Sequence, residues 1–254
     1  EMSDIFLTQF DIPKPHRDLG IGSGTPGEQT AKILLGCEKG FSEDVPDILI
    51  VEGDTTTSFA AALAASKLKI PIVHIEAGCR IFDKSLPEEI NRVMISHISS
   101  LHFPPTKFCQ TNLINEGIDT NSIKLIGHPL VDSVNIVKGK LKKISEYKNL
   151  DIKKKEYFYL TIHRDFNTDD SHKLERILKT ISSISNGKKI VFPVHPRTKK
   201  NIENFGLEKY LDNLIILPPV DYVKSLSLIQ NAYGIITDSG GLTKESAIFG
   251  IPCI

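Results

Sequence analysis

No stretch of this 254-residue chain approaches the roughly 20 consecutive apolar residues needed to span a bilayer. The opening residues, Glu1-Met-Ser-Asp, lack the basic-then-apolar profile of a secretory signal. Net charge is missing as well. With 31 Lys plus Arg against 31 Asp plus Glu, the overall charge points to neither nucleic acid nor an anionic membrane as partner. The four cysteines, Cys37, Cys79, Cys109 and Cys253, are scattered without a C-x-x-C pair. That argues against a zinc site or a disulfide framework, suits a reducing compartment, and leaves them as small buried apolar residues. These absences together lead us to expect a cytoplasmic protein.

What is present is ordinary material for sizeable cores: 40% hydrophobic and 24% charged residues, in a length that suits two domains. Glu1 to Phe10 reads as a helix end, Ile21 to Gly27 as a glycine-rich loop, and Gly27 or Glu28 to Lys39 as a helix. From Asp47 the chain alternates strand and helix. Strands are predicted at Asp47–Val51, Ile70–Ile75, Leu101–Phe103 and Ile123–Ile126, and helices at Ser58–Leu68, Pro87–Ser99 and Thr106–Glu116. Repeated β-α order implies a parallel sheet with right-handed crossovers. A lysine-rich stretch follows, from Lys138 through Lys155, with little apolar periodicity and a single aromatic, Tyr147. It reads as an exposed helix end and linker, which places the domains at 1–145 and 146–254. The second half repeats the scheme. Its predicted strands are Tyr157–Ile162, Lys189–Val194, Leu214–Leu217, Gly234–Thr237 and one starting at Ile251. Its predicted helices are Asp169–Ile184, Arg197–Asn204, Tyr222–Gln230 and Leu242–Phe249.

Acidic residues sit where the first two of these strands give way to turns and where the helix after the second begins. Asp54 falls in a strand-to-helix turn after Gly53, Glu76 directly ends an apolar run, and Glu88 and Glu89 open a helix behind Pro87. Ligands of open α/β sheets bind at the carboxyl ends of the strands, so these carboxylates are expected in one crevice. Each also has a plain structural reading. Asp54 suits an N-cap, and Glu88 and Glu89 suit the positive end of a helix dipole. For Glu76 that reading is weaker, because a carboxylate ending an apolar strand must be paired, solvated or functional.

In the second half the strand ends carry His163-Arg164, His195-Pro-Arg197 and Asp238-Ser-Gly-Gly241. Gly240 and Gly241 at a helix N-terminus leave backbone N–H groups bare beside the dipole, a seat for a diphosphate. The two histidines, each near an arginine on the same edge, favour anion binding over a purely structural role.

Gly53-Asp-Thr, His74-Ile-Glu-Ala-Gly, Pro87-Glu-Glu-Ile-Asn-Arg, Thr161-Ile-His-Arg, Pro193-Val-His-Pro and Thr237-Asp-Ser-Gly-Gly-Leu-x-x-Glu245 follow one another in this order. The set resembles the non-hydrolysing UDP-N-acetylglucosamine 2-epimerases, over residues 18–254. The resemblance implies two Rossmann-like doubly wound domains of glycosyltransferase B-like architecture. It puts Asp54, Glu76, Glu88 and His163 at the family's catalytic positions. Ser239, Gly240 and Gly241 match its diphosphate-binding turn, Glu245 the carboxylate on the ribose hydroxyls, and Arg164 and His195 further substrate-binding positions. It implies a UDP-sugar substrate, no metal, no cofactor and a homodimer. The reaction it implies is inversion at C2 of the sugar by anti elimination of UDP and its readdition, in the supply of cell-surface polysaccharide.

The chain departs from the family pattern in several places. The family's first strand and its tail after Ile254 are missing, so the sequence reads as a fragment. Asp165-Phe166-Asn167 follows His-Arg, Ser225 stands where an aromatic is common, and His128 stands where Asn usually follows Gly. Three alternatives stay open beside the epimerase: the same chemistry on UDP-2,3-diacetamido-glucuronate, a hydrolysing epimerase, and a non-catalytic sugar-nucleotide-binding module.

Overall fold

The apolar runs become the strands of two parallel sheets in a computed structural model that describes Leu7, Phe10, residues 12–183 and residues 187–254. The helix end expected at Glu1 to Phe10 lies, those two residues apart, outside the described residues. Contacts divide the chain into Lys14–Pro129 and a second unit spanning Leu130–Ile254 together with the segment up to Pro13. Both are Rossmann-like α/β units.

In the first unit, α1 (Pro26–Glu43) begins with a capping box: Thr25 Oγ1 accepts from Glu28 N, and the Glu28 carboxylate accepts from Thr25 N. This cap starts the helix one residue before the expected point, and the helix runs four residues past the expected end. Strand β1 (Leu49–Glu52) leads to α2 (Thr56–Lys67), whose Ala60, Ala61, Ala62, Ala64 and Ala65 are buried. Small side chains let α2 lie close against α1 on one side and against α3 (Pro87–Ile98) on the other. The sheet order is β1, then β2 (Ile72–Ile75), then β3 (Leu101–Phe103), all parallel. Val51, Ile70, Ile72 and Ile95 fill its core with Ala62 and Ala65. Helix α4 (Lys107–Asn115) follows, capped by Thr106. The strand expected at Ile123–Ile126 is reduced to an isolated bridge between Ile123 and His102.

The second unit starts earlier than the lysine content suggested. Helix α5 (Pro129–Leu141) carries Val134, Val137 and Leu141 into the same core as Tyr157 and Val191, so the division falls at 129/130 rather than at 145/146. The spacing of those three residues is one apolar stripe, and the lysines between them occupy the solvent face. After the short α6 (Glu146–Asn149) comes β4 (Tyr157–Thr161), then the short α7 (Asp165–Thr168), which the sequence did not signal, and α8 (Ser171–Ser183). The predicted end of that last helix, Ile184, lies outside the described residues. The remaining order is β5 (Lys189–Pro193), α9 (Pro196–Asn204), β6 (Leu214–Leu217), α10 (Tyr222–Asn231), β7 (Gly234–Thr237) and α11 (Gly240–Phe249). The last expected strand is an isolated bridge from Cys253 to Ile235.

Alternating residues of this sheet face two layers. Tyr157, Tyr159 and Val191 pack with Val134, Val223, Leu226 and Ile229, whereas Leu160, Ile190 and Phe192 pack with Leu174, Leu178, Ile181 and Ile202. Helices therefore cover both faces, the reason these strands read as continuous apolar runs. The strand order is β6-β5-β4-β7. The chain moves outward from β4 to β6 and then returns to the other side of β4. The crevice between the carboxyl ends of β4 and β7 is thus the topological switch point where an open sheet binds ligands.

Candidate active site

Asp54 and Glu76 stand just beyond the carboxyl ends of neighbouring strands, where Glu52 of β1 is in register with Ile75 of β2. A Cβ added at Gly53, the residue before Asp54, would lie 3.7 Å from Glu76 Oε2. Glu76 holds a left-handed backbone, φ 63°, rare for a residue with a side chain. Such strain, of order 1–3 kcal/mol, persists where the surroundings impose it and clusters at functional sites. His128 Nε2 lies 3.4 Å from Glu76 Oε1.

Helix α3 closes on Asp54. Asn91 Nδ2 donates to the Asp54 carbonyl at 2.9 Å, and Arg92 Nη2 donates to its carboxylate. Glu88 lies three and four residues before these two, on the same helical face, so α3 brings it to the Asp54 side of the unit. Glu88 and Glu89 then part in role. Glu88 is partly exposed, whereas Glu89 is buried and accepts from Ile81 N, Phe82 N and Arg92 Nη1 at 3.0, 3.0 and 3.1 Å. The Asp54 turn is also held from beneath. The Gly53 carbonyl accepts from the buried His74 ring at 3.0 Å, and burial pushes that histidine down to about 4, so it is neutral. With Nε2 donating, Nδ1 faces Ser96 Oγ at 3.4 Å, and Ser96 accepts from Arg80, itself clamped by both oxygens of Glu116.

In the second unit, the Asp238 carboxylate organises the β4–β7 crevice. It accepts from His163 N, Arg164 N and Asn167 Nδ2 at 2.9–3.1 Å, and His163 Nδ1 lies 3.0 Å from Oδ1. With Nδ1 held by Asp238, Nε2 is the ring nitrogen outside that contact. Arg164 Nε donates to the Asp238 carbonyl at 3.3 Å. Ser239 caps α11 by accepting from Leu242 N, and Ser239 N donates to Thr237 Oγ1. A Cβ at Gly240 would meet nothing within 4 Å, and one at Gly241 only the Ser239 hydroxyl at 3.7 Å. The fold itself does not require these glycines; open space over the helix start does suit close approach of a ligand. A cavity of about 190 Å³ is lined by His163, His195, Tyr159, Thr161, Ser225 and Leu242 among others. His195 N-caps α9, accepting from Arg197 N, while Arg197 is engaged by Asp165 and Asp169. Of the two arginines paired with histidines in the sequence, Arg197 is therefore neutralised within the unit. Glu245 is buried on α11 beside Tyr222 and is not among the residues lining that cavity.

The family described as UDP-N-acetylglucosamine 2-epimerase matches residues 1–254. The chain belongs to this family. A UDP-N-acetylglucosamine 2-epimerase of Methanococcus maripaludis is 43% identical over the whole chain, which spans 71% of that relative. A UDP-2,3-diacetamido-2,3-dideoxy-D-glucuronate 2-epimerase of Pseudomonas aeruginosa is 38% identical, again over the whole chain and 70% of the relative. Among solved structures, the Methanocaldococcus jannaschii UDP-GlcNAc 2-epimerase in complex with UDP-GlcNAc and UDP is similar at a TM-score of 0.89 and 42% identity. That match covers 98% of this chain and 71% of the other. No helix among the described residues is long and apolar enough to cross a membrane.

Within this epimerase, the residues that sequence reasoning left without a role are Asp238, Arg92 and His74. Asp238 carried the signal that singled out Glu76, a carboxylate directly after an apolar strand that needs a partner. Arg92 and His74 bond to groups 38 and 21 residues away along the chain, which spacing does not reveal.

Glu245 also yields a measurable prediction for this epimerase. Burial raises its carboxyl from the ordinary 4.5 to about 7, with the Tyr222 hydroxyl opposing part of that rise. A folded-state value above the unfolded one means that the unfolded chain ionises first. Stability is then lost as pH rises from about 4.5 to about 7, by on the order of 3 kcal/mol, and stays lost above that. We expect the melting temperature of the unliganded protein to fall across this window relative to Glu245→Gln. Parallel curves for the two proteins from pH 4.5 to 8 would contradict the burial of this carboxyl.

Proposed function

We propose that the protein interconverts UDP-N-acetylglucosamine and UDP-N-acetylmannosamine by anti elimination of UDP and its readdition. The observation that carries this reading is the position of Asp54 and Glu76 at the ends of neighbouring β1 and β2, with α3, the helix that carries Glu88, held to the Asp54 turn by Asn91 and Arg92. A carboxylate takes the proton from C2, the electrons of that C–H bond form the C1–C2 double bond, and the bond from C1 to the diphosphate oxygen breaks. UDP leaves with that electron pair. Readdition at C1 and protonation of C2 on the opposite face complete the inversion, so both a base and an acid are needed.

Asp54, Glu76 and Glu88 supply these two functions, with Arg92 and Asn91 fixing Asp54. The departing diphosphate gains charge as C1–O breaks. In this reading the first-turn N–H groups of α11 at Gly240 and Gly241, the Ser239 cap, His163 and Arg164 receive it, as preset donors do. His195 completes the wall of the cavity, and Glu245 serves the ribose. The reading places the enzyme in the cytoplasm as a homodimer, which light scattering of the purified protein tests.

The C2 chemistry gives the decisive experiment. In heavy water, both UDP-N-acetylmannosamine and recovered UDP-N-acetylglucosamine should carry deuterium at C2, read by proton magnetic resonance. Epimerised product without solvent deuterium would sink the mechanism, and no turnover at all would favour a binding module. The Pseudomonas relative supports a second reading, the same chemistry on UDP-2,3-diacetamido-glucuronate. Parallel assays on the two sugar nucleotides separate the readings.

A further inference from the structure

Cys79 and Cys109, thirty residues apart in sequence, meet with their sulfur atoms 3.3 Å apart. The sequence suggested inert apolar fillers; the surroundings of this pair are different. Cys109 is the third residue of α4, and Thr106, the helix cap, accepts from its N–H and donates from Oγ1 to its sulfur at 3.2 Å. Cys79 lies three residues beyond Glu76, in the segment leaving β2, and is partly exposed, whereas Cys109 is buried.

The backbones behind the two thiols are locked together. A Cβ at Gly78 would fall 2.2 Å from the Cys109 carbonyl oxygen, so glycine alone permits this approach, and Asn112 Nδ2 donates to the Gly78 carbonyl at 2.9 Å. A disulfide bond is about 2.05 Å long, so the sulfurs need only close about 1.3 Å, within reach of side-chain rotation. The Cys79 thiol, together with the Thr106 hydroxyl, pulls the Cys109 thiol down to about 6 against the opposing effect of burial. A helix start stabilises a thiolate in the same sense.

We propose that Cys79 and Cys109 are a modification site, a thiol pair that closes to a reversible disulfide by exchange with a low-molecular-weight disulfide such as oxidised glutathione. The partly exposed Cys79, once its thiol proton has passed to solvent, attacks one glutathione sulfur and displaces a glutathione thiolate, leaving a mixed disulfide. The Cys109 thiolate then attacks Cys79 Sγ and releases the second glutathione. Two protein thiols give up two protons and two electrons, and one oxidised glutathione becomes two reduced molecules. The bond ties the segment that follows Glu76 to the start of α4.

The test is a peptide map of the folded protein after incubation with oxidised glutathione, alkylated without reductant. The expected result is one cross-linked peptide joining Cys79 to Cys109, lighter by two hydrogens than the sum of its parts and split by dithiothreitol, with Cys37 and Cys253 alkylated. In Cys109→Ala, glutathione should stay bound at Cys79, because its resolving partner is gone. In Cys79→Ser, Cys109 should remain unmodified. The proposal is overturned if Cys79 and Cys109 are both still alkylated in the wild type. It is equally overturned if glutathione persists on wild-type Cys79, or if either cysteine is found joined to Cys37 or Cys253.

Discussion

Replacing Glu76 by Gln is expected to lower both epimerisation and C2 deuterium exchange by roughly 10²- to 10⁴-fold, the usual range for losing a general acid or base. The substitution keeps the shape of the side chain and removes the proton it trades. The backbone there is already left-handed at φ 63°, and Gln meets the same strain as Glu, so the fold should persist. UDP affinity by calorimetry should stay within a few-fold, because in our reading the diphosphate rests on Ser239, Gly240 and His163 of the other unit. Comparable losses are expected for Glu88→Gln, whose side chain is partly exposed and has no place in the core. Full exchange in both variants would remove these carboxylates from the chemistry and leave Asp54 as the group to test.

The strands and most helices were legible because both faces of each sheet are covered, which turns strands into apolar runs and leaves polar residues at their ends. The carboxyl-end positions of Asp54, Glu76, His163 and Asp238 follow from that alone. Helix α5 was hidden because Lys138, Lys140, Lys142 and Lys143 dominate the composition. The stripe Val134, Val137, Leu141 beneath them places the helix in the second unit. His163 and Arg164 stand at the Asp238 crevice, where the anion-binding role inferred from paired histidines and arginines is our proposal. For Arg197 it gives way to Asp165 and Asp169, whose proximity depends on how α7 and α9 meet. The supports of the site were illegible for the same reason. His74 reaches Gly53, Arg80 reaches Glu116, and Asn91 reaches Asp54 across 21 to 37 residues of chain.

Glu88 and Glu89, adjacent and chemically identical, should fail in opposite ways. Glu89→Leu is expected to destabilise the protein by about 3–5 kcal/mol, the cost of breaking a buried ion pair from one side. Its carboxylate is 3% exposed and its partner Arg92 11% exposed, so removing Glu89 leaves the guanidinium with Asp54 as its remaining carboxylate, in a medium that solvates it poorly. Two further donors, the N–H groups of Ile81 and Phe82, lose their acceptor, and Phe82 is itself held at φ 62° by that contact. Arg92 also fixes Asp54, so turnover should fall along with stability. Glu88→Gln should instead leave the urea midpoint unchanged to within about 0.5 kcal/mol while abolishing most turnover. Urea denaturation of the two variants beside wild type decides this. A stable Glu89→Leu, or a Glu88→Gln protein that unfolds early, would mean that the buried clamp on the Asp54 turn has been assigned to the wrong one of the two.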